Sequence, residues 1–221
     1  VPLVVDAAQT AGQVPVRLEE WNVAAVAFTG HKAMLGPTGS GGLVVAPGAV
    51  IAPTRFGGTG VDSASLTHTA SYPHRLEAGT LNLLGIIGLA KGLEYLRGEG
   101  VEDVHRREMG LIRRLRDGLT ALSGVTVYSP APRDDDVPIL TCGVEGMAPS
   151  DVGAILDADH GIAVRTGLHC APLVHRDLGL AEQGSVRFSP GIFSTEADID
   201  HALAAMAAIA ASAAGRPPRR P

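Results

Sequence analysis

The stretch Phe28-Thr29-Gly30-His31-Lys32 closes an apolar run and opens a glycine-rich one. Its lysine is one of only two in the chain, and the other, Lys91, lies in a helical pattern where a solvated helix face is the ordinary explanation. Lys32 instead follows the apolar run 23–28, so its amine emerges where a buried strand is predicted to end. An amine in that place either extends to water or carries out amine chemistry, and position alone leaves both interpretations open.

The apolar runs around this stretch predict an α/β fold with a mostly parallel sheet. Buried strands are predicted at 3–5, 24–29 and 43–46, with a short helical turn at 17–21. Residues 51–77 are rich in Gly, Ser, Thr, His and Pro and show no periodicity, which is typical of a functional or partner-bound loop.

The rest of the chain predicts a second, smaller domain. A helix is expected from about Thr80 to Leu96 and another over about 101–122, whose leucines share one stripe. Further strands are expected at 125–128, 138–142, 162–165 and 185–189, and further helices near 150–159 and 195–212. We therefore expect part of a large domain at 1–95, a small α+β domain at 96–212 and a disordered tail at 213–221.

Length, charge and cysteine content exclude several classes of protein. The 221 residues carry a net charge of −5, which gives no electrostatic basis for binding nucleic acid. No uninterrupted apolar stretch approaches the roughly 20 residues of a membrane helix, and two cysteines suggest a reducing, cytoplasmic location. The chain opens at Val1 inside an apparent strand, which indicates a piece of something longer or a chain whose partner supplies the rest.

Polar residues near the first two predicted strand ends suggest a ligand site. Asp6 is either a turn residue or a carboxylate that holds a cationic ring nitrogen, and Gln9 could reach the same ligand or satisfy backbone groups. Thr29 and His31 flank the turn before Lys32 and could form an anion cradle. The glycine-rich segment 36–42 lacks the Lys-Ser/Thr ending of a P-loop, so we interpret it as close backbone packing behind the lysine.

A second candidate centre surrounds Cys170, which follows a predicted strand and lies between a histidine and a proline-containing turn. An exposed cysteine near cationic side chains becomes nucleophilic, although an inert cysteine stays an open interpretation. Cys142 has small apolar neighbours and is predicted to be an inert core residue. Arg187 alternates with apolar residues and either binds a carboxylate or lies on a surface edge strand. No metal ligand pair at a usual zinc spacing accompanies His169 and Cys170.

Taken together, the motifs resemble those of cysteine desulfurases, which are class V, fold-type I pyridoxal-phosphate enzymes. The similarity is greatest to the SufS-like branch and extends from Val1 to about Ala210. Five motifs occur in the family's order: Asp6-Ala7-Ala8-Gln9, Thr29-Gly30-His31-Lys32, Glu77-Ala78-Gly79-Thr80, Arg165-Thr166-Gly167-Leu168-His169-Cys170-Ala171 and Val186-Arg187-Phe188-Ser189.

The resemblance implies a role for each matching residue. Lys32 would hold pyridoxal 5'-phosphate covalently and move the substrate Cα proton, while Asp6 would keep the ring nitrogen protonated. The remaining cofactor contacts would come from Gln9 to the ring oxygen, from Thr29 and His31 to the phosphate, and from Thr80 to the phosphate of the neighbouring subunit in a homodimer.

The resemblance also implies the substrate and the products. Arg187 would clamp the carboxylate of L-cysteine, Arg165 would join it in binding substrate, and Cys170, on a mobile loop, would take the sulfur as a persulfide and release L-alanine. A protein or small-molecule acceptor would then remove that sulfur. Leu168 departs from the histidine that many SufS-like members have there.

Two alternatives remain. The family's N-terminal half, which supplies half the sheet, the side chain that stacks on the ring and further phosphate contacts, is not part of these residues. The chain could therefore be a non-catalytic fragment or a split subunit that needs an N-terminal partner. Another class V reaction, by a selenocysteine lyase or a cysteine-sulfinate desulfinase, is the enzymatic alternative. Retention of Lys32, Asp6 and Cys170 speaks against a purely structural role.

Overall fold

The computed structural model describes residues 1–214, which fold as two compact units. Unit 1 comprises Val1–Val101, and unit 2 begins at Glu102. Residues 215–221 of the expected disordered tail lie outside the described residues, whereas its first two residues, Ala213 and Ala214, belong to the last helix.

Unit 1 is built on a three-stranded sheet in which the strand order follows the sequence. Its strands are β1 (Val4–Asp6), β2 (Ala25–Thr29) and β3 (Gly41–Val45). β1 and β2 are parallel, as predicted, but β3 is antiparallel to β2. The backbone amide of Gly30 donates to the carbonyl of Ser40 at 2.8 Å, so the chain reverses directly after β2. The three strands of unit 1 therefore form one parallel and one antiparallel pair.

The expected full burial of β1 is wrong within these residues. Val4 is 58% exposed and Asp6 is exposed, while Ala25 and Val26 of the central strand are buried. An apolar run shows only that a strand can be buried. Whether the strand is buried depends on what packs against it. In unit 1 the buried cluster lies beside β2 and the turn after β1, where it includes Ala7, Ala11 and Val23.

The first long helix, α1 (Leu83–Glu99), packs against the glycine-rich segment after Lys32. A Cβ added at Gly36 would lie 2.8 Å from a methyl carbon of Leu89, and one added at Gly92 would lie 2.6 Å from the carbonyl oxygen of Met34. These glycines allow backbone and helix to touch, which supports the interpretation of 36–42 as close packing. The long connection before α1 is irregular apart from a 3₁₀ turn at His74–Leu76.

Unit 2 combines an antiparallel sheet with helices. Its strands, in spatial order, are β4 (Val125–Val127), β5 (Leu140–Val144), β7 (Ser185–Phe188) and β6 (Arg165–Gly167). Its helices are α2 (Val101–Thr120, whose first residue belongs to unit 1), α3 (Pro149–His160), α4 (Pro172–Asp177) and α5 (Glu196–Ala214). All neighbouring strands are antiparallel. The sequence predicted these elements except the six-residue α4, and the strand predicted at 162–165 is displaced, since β6 begins only at Arg165.

The core of unit 2 gathers the buried faces of its long helices and its sheet. Leu111, Leu115 and Leu119 of α2 are buried on the predicted stripe, and Leu122 packs against the same cluster. Helix α5 is the one described helix that is long and apolar enough to cross a membrane by length and composition alone. Met206, Ile209 and neighbouring small residues of α5 lie in the core cluster, so it is the core helix of this unit.

Candidate functional site

Five of the predicted cofactor residues lie at the carboxyl ends of β1 and β2 or in the turns that follow. We call this group the lysine centre, and it consists of Asp6, Gln9, Thr29, His31 and Lys32. Because β1 and β2 are parallel, both strands end on the same edge of the sheet. Asp6 is in register with Ala27, and the amide of Ala7 donates to the Ala27 carbonyl at 2.8 Å. The pairing thus places the Asp6 turn beside the strand that leads to Lys32.

A glycine holds the two turns of the lysine centre together. Gly12, in the turn that follows Asp6, has φ of +91°. A Cβ there would lie 2.6 Å from the carbonyl oxygen of Ala33, the residue after Lys32. Only glycine accommodates both the left-handed conformation and this close backbone approach. The turn that carries Gln9 is therefore packed directly on the segment that carries Lys32.

The polar side chains of the lysine centre are accessible. Gln9, His31 and Lys32 are exposed, and Thr29 Oγ1 lies 2.9 Å from His31 Nδ1. Asp6 is exposed as well, and its Oδ1 accepts a hydrogen bond from the Ala8 amide at 2.9 Å. Asp6 is exposed rather than buried because β1 is uncovered within these residues, and its carboxylate closes a local turn. Its role toward a ring nitrogen stays a prediction.

Thr80 is not brought into hydrogen-bonding contact with the lysine centre within the described residues. It is exposed and follows Gly79, whose amide donates to the carbonyl of Gly58 at 2.7 Å. Asn82 caps α1 by accepting from Gly85 and donates to the carbonyl of Gly39 at 3.3 Å. The start of α1 is thereby tied to the glycine-rich segment.

A second group of side chains, which we call the cysteine centre, consists of Arg165, Cys170 and Arg187 in unit 2. Arg165 on β6 is directly opposite Arg187 on β7. Nη2 of Arg165 donates a hydrogen bond to Sγ of Cys170 at 3.3 Å, and Cys170 is exposed. The structure therefore unites three of the predicted residues around an accessible thiol with cationic neighbours.

Arg187 is a cation whose surroundings favour binding of an anion. It lies on an interior strand rather than on an edge strand, and its Nε is buried with no hydrogen-bond partner among residues 1–214. Burial lowers the pKa of Arg187, the charge of Arg165 lowers it further, and Cys170 opposes these effects. An orphaned donor beside a second guanidinium group is satisfied best by a carboxylate or a similar anion.

The two cysteines differ as the sequence predicted. Cys142 is fully buried in β5, and burial raises the pKa of its thiol to about 12. Cys170 lies in a tight turn between β6 and α4, where His169 and Cys170 have φ of 53° and 60°. Two consecutive non-glycine residues in this left-handed region are uncommon and need support from their surroundings.

Sequence reasoning missed the residues that supply this support. His169 hydrogen-bonds to Ser185, and the buried His175 bonds to the same hydroxyl from α4. These hydrogen bonds hold the turn in this structure, and its mobility during the reaction stays a prediction. The only signal in the sequence was a serine at the start of an apolar strand, which does not reveal its partners.

The residues of the lysine centre fit pyridoxal phosphate by the chemistry of their donor set. Lys32 offers an accessible amine for the aldehyde, Asp6 a carboxylate for a protonated ring nitrogen, and Thr29 and His31 offer donors to a phosphate. The amide of Gly36 donates to the Gly30 carbonyl at 2.7 Å, so the turn that carries these groups is closed by backbone hydrogen bonds.

Known proteins are similar to this chain in sequence. The probable cysteine desulfurase of Pyrococcus abyssi is 34% identical over 201 residues, which are 89% of this chain and 49% of that protein. The probable cysteine desulfurase of Halalkalibacterium halodurans is 35% identical over 202 residues, which are 90% of this chain and 48% of that protein. The chain therefore spans about half the length of the curated relatives it matches.

Solved structures agree with the sequence matches. The apo cysteine desulfurase of Thermococcus onnurineus NA1 superposes with a TM-score of 0.88 at 36% identity, over 96% of this chain and 53% of that one. The Escherichia coli cysteine desulfurase CsdA, in an S-sulfonic acid form, gives 0.84 at 30% identity, over 96% and 52%. These matches confirm the predicted resemblance and the predicted fold class.

The sequence model of the aminotransferase class-V family matches residues 1–202. This match covers both sheets and all the residues of the lysine and cysteine centres. The chain is a member of the aminotransferase class-V family.

Proposed function

We propose that this chain is part of a pyridoxal-phosphate-dependent cysteine desulfurase, which converts L-cysteine to L-alanine and keeps the sulfur on Cys170. The observation that carries the proposal is the cysteine centre, in which an accessible thiol accepts a hydrogen bond from Arg165 beside a second, unsatisfied arginine. The names and the similarity of the relatives described above support the same activity.

The lysine centre has the cofactor role in this proposal. Lys32 holds the cofactor through its Nζ and moves the proton at the substrate Cα, while Asp6 Oδ atoms hold the ring nitrogen in its protonated form. Gln9 orients the ring oxygen, and Thr29 and His31 bind the phosphate. When bound, the cofactor supplies an electron sink for the charge that develops at Cα.

The cysteine centre binds the substrate and transfers its sulfur. Arg187, assisted by Arg165, binds the substrate carboxylate by charge-assisted hydrogen bonds. The Cys170 thiolate attacks the substrate sulfur: a sulfur–sulfur bond forms, the carbon–sulfur bond breaks, and its electron pair stays with the substrate, whose carbon is then protonated to give alanine. An acceptor then takes the terminal sulfur from the persulfide.

The assembly and the location belong to the same proposal. A homodimer would let Thr80 contribute to the phosphate site of the neighbouring subunit, and a separate N-terminal half could supply the remaining cofactor contacts. We place the protein in the cytoplasm, where an exposed thiol such as Cys170 stays reduced.

The cofactor role is tested by reduction with borohydride after pyridoxal phosphate is added to the chain. We expect a visible absorption band and a label on Lys32 in the peptide map. Lys32→Ala should lose both, whereas Lys91→Ala, which removes the only other lysine, should keep them. A label on Lys91 instead, or a Lys32→Ala chain that keeps the band, would exclude this role for Lys32.

The sulfur-transfer role is tested with Cys170→Ala and the matched control Cys142→Ala. With L-cysteine, Cys170→Ala should retain cofactor binding but form no persulfide and release no alanine above background. Alanine release at the wild-type rate would exclude the thiol from the reaction. Equal turnover of selenocysteine or cysteine sulfinate by Cys170→Ala and wild type would instead indicate one of the two related class V reactions.

A further inference from the structure

The turn that carries Cys170 is held from both sides by one buried hydroxyl group. His169 Nε2 lies 3.0 Å from the carbonyl oxygen and 3.1 Å from the hydroxyl of Ser185. His175 Nε2 lies 2.9 Å from the same hydroxyl, and its Nδ1 lies 3.0 Å from the carbonyl oxygen of Ala171. The residues immediately before and after Cys170 are therefore connected through Ser185 and His175.

The partners assign a proton to each atom of this chain of hydrogen bonds. A carbonyl oxygen only accepts, so His169 donates from Nε2 to Ser185 and His175 donates from Nδ1 to Ala171. In the tautomer that carries its proton on Nδ1, the His175 ring accepts at Nε2, and the Ser185 hydroxyl donates to it. The same hydroxyl oxygen accepts from His169. Each hydrogen bond from His169 through Ser185 and His175 to Ala171 thus has one donor and one acceptor, while Nδ1 of His169 is buried without a partner among residues 1–214.

Burial makes these hydrogen bonds expensive to lose. Ser185 is 1% exposed and His175 is 4% exposed, and both are polar. Water cannot replace a lost partner readily at such positions, so the side chains remain in the geometry that satisfies them. Gly184, just before Ser185, approaches Gly167 so closely that a Cβ would lie 2.6 Å from the Gly167 Cα, which fixes the base of the turn.

The backbone of the turn needs such a constraint. His169 and Cys170 both have positive φ, a conformation that non-glycine residues rarely adopt in succession. Strained backbone of this kind persists when surrounding contacts determine it. The hydrogen bonds from Ser185 and His175 act on the residues that flank Cys170, so they determine where its Sγ lies relative to Arg165.

We infer that Ser185 and His175 are positioning residues, which hold the Cys170 turn so that its sulfur stays within hydrogen-bonding distance of Arg165. The inference rests on the proposed function, because it explains how the sulfur-accepting thiol is kept ready. Within the described residues, neither side chain hydrogen-bonds to Sγ itself: Ser185 Oγ contacts the side chain of His169, and His175 Nδ1 contacts the carbonyl oxygen of Ala171.

The first test measures alkylation of Cys170 by iodoacetamide in the whole chain, without cofactor or cysteine, by quantitative peptide mapping. Arg165→Ala and Ser185→Ala should each lower the rate constant about five- to tenfold, because a thiolate loses its cationic hydrogen-bond partner. The double variant should react no more slowly than the slower single variant, since both changes remove the same contact. The exposed serine variant Ser150→Ala should react like wild type.

Two features keep this test decisive. A general loss of structure in Ser185→Ala would also expose the buried Cys142 to labelling. In that case two other variants replace Ser185→Ala. Ser185→Thr keeps the hydroxyl group, and His175→Asn keeps a donor for Ala171 but loses the hydrogen bond to Ser185. We then expect Ser185→Thr to react like wild type and His175→Asn to react about five- to tenfold more slowly. Rate losses that multiply in the double variant, or a Ser185→Ala rate equal to that of Ser150→Ala, would overturn the inference.

A second measurement separates this inference from the proposed function. In the cofactor-loaded enzyme, Ser185→Ala should lower kcat for persulfide formation and leave KM for L-cysteine unchanged. If the chain makes no alanine but the alkylation rates of the variants are still coupled, the proposed function is refuted and the positioning role is retained. Conversely, normal persulfide formation with uncoupled alkylation rates would refute the positioning role alone.

Discussion

At the scale of single residues, the local environment gives identical side chains different reactivity. Cys142 and Cys170 are both free thiols, yet one is a core residue of β5 and the other is exposed beside Arg165. The sequence predicted this contrast, because Cys142 has apolar neighbours and Cys170 follows a strand and a glycine. Reactivity therefore follows from burial and from neighbouring charge.

The difference between the thiols predicts selective labelling. At pH 7.5 iodoacetamide should modify Cys170 and leave Cys142 intact, because Cys142 is buried and its pKa is about 12. Mass spectrometry of the digested chain measures both sites, and unfolding in guanidinium chloride should equalise them. Labelling of Cys142 at a comparable rate under native conditions would contradict the structure of this core.

Arg187 is predicted to set the affinity for substrate. Arg187→Gln should raise KM for L-cysteine about 10- to 100-fold with a smaller change in kcat, because a charge-assisted hydrogen bond to a carboxylate contributes about 1.5–3 kcal/mol. Steady-state alanine release measures both constants. Arg176→Gln, at an exposed site on α4, is the control. An unchanged KM in Arg187→Gln would remove it from the substrate site.

His169 predicts a dependence of stability on pH. Burial lowers the pKa of His169, and the charge of Arg187 lowers it further. The unfolded chain binds this proton near pH 6.5, whereas the folded chain binds it at lower pH, so the stabilisation is complete above about pH 6.5 and is lost as pH falls toward the lowered pKa.

Urea denaturation of unit 2 from pH 7.5 to 5.5 checks this sign. The free energy of unfolding should fall more for the wild-type chain than for His169→Gln over that range. A His169→Gln slope equal to that of the wild type would show that His169 does not contribute to the dependence.

At the scale of elements, close backbone contacts position the lysine centre. The turn after β1 rests on the segment after Lys32 because Gly12 has no side chain. Gly12→Ala should therefore lower the free energy of unfolding of unit 1 by about 1–3 kcal/mol, the usual cost of a residue in a forbidden backbone conformation. Trp21, the single tryptophan of the chain, reports unfolding of this unit by fluorescence.

Gly58→Ala is the matched control for this substitution. A Cβ at Gly58 would meet nothing within 4 Å, and the φ of Gly58 lies outside the left-handed region. The free energy of unfolding of Gly58→Ala should therefore stay within about 0.5 kcal/mol of that of the wild-type chain. The same pair should differ in cofactor binding, since only Gly12 joins the turn of Gln9 to Lys32. Equal denaturation midpoints for both variants would contradict the close approach.

Most elements followed from apolar periodicity, and the exceptions have physical causes. β3 turned out antiparallel because the direction of a strand depends on how the preceding turn closes, here through Gly30 and Ser40. β1 was expected to be buried because its residues are apolar, but periodicity does not say which surface will cover a strand. Helix α4 is too short to produce a recognisable period.

The cysteine centre shows the same limit at the level of contacts. Cys170, Arg165 and Arg187 were predicted from motifs and from the residue types around them. Ser185 and His175 were not, because their significance arises only when α4 places His175 over the start of β7. Tertiary hydrogen bonds between side chains ten residues apart leave no pattern in the sequence.

At the scale of the whole molecule, both groups of predicted chemical residues occur in one chain that matches one family over residues 1–202. The chain spans about half the length of its curated relatives. Net charge gives no electrostatic basis for a nucleic-acid partner, and this expectation stays a prediction.

The scarcity of lysine gives the chain a simple proteolytic map. Lys32 and Lys91 are both exposed and both lie in unit 1, so a protease that cleaves after lysine should release three peptides, 1–32, 33–91 and 92–221. A reduced covalent bond to Lys32 would block the first cleavage and leave one 1–91 peptide, whereas adventitious modification of Lys91 would leave 33–221. The fragment pattern on a gel would therefore count occupied lysine centres directly, independently of any optical signal.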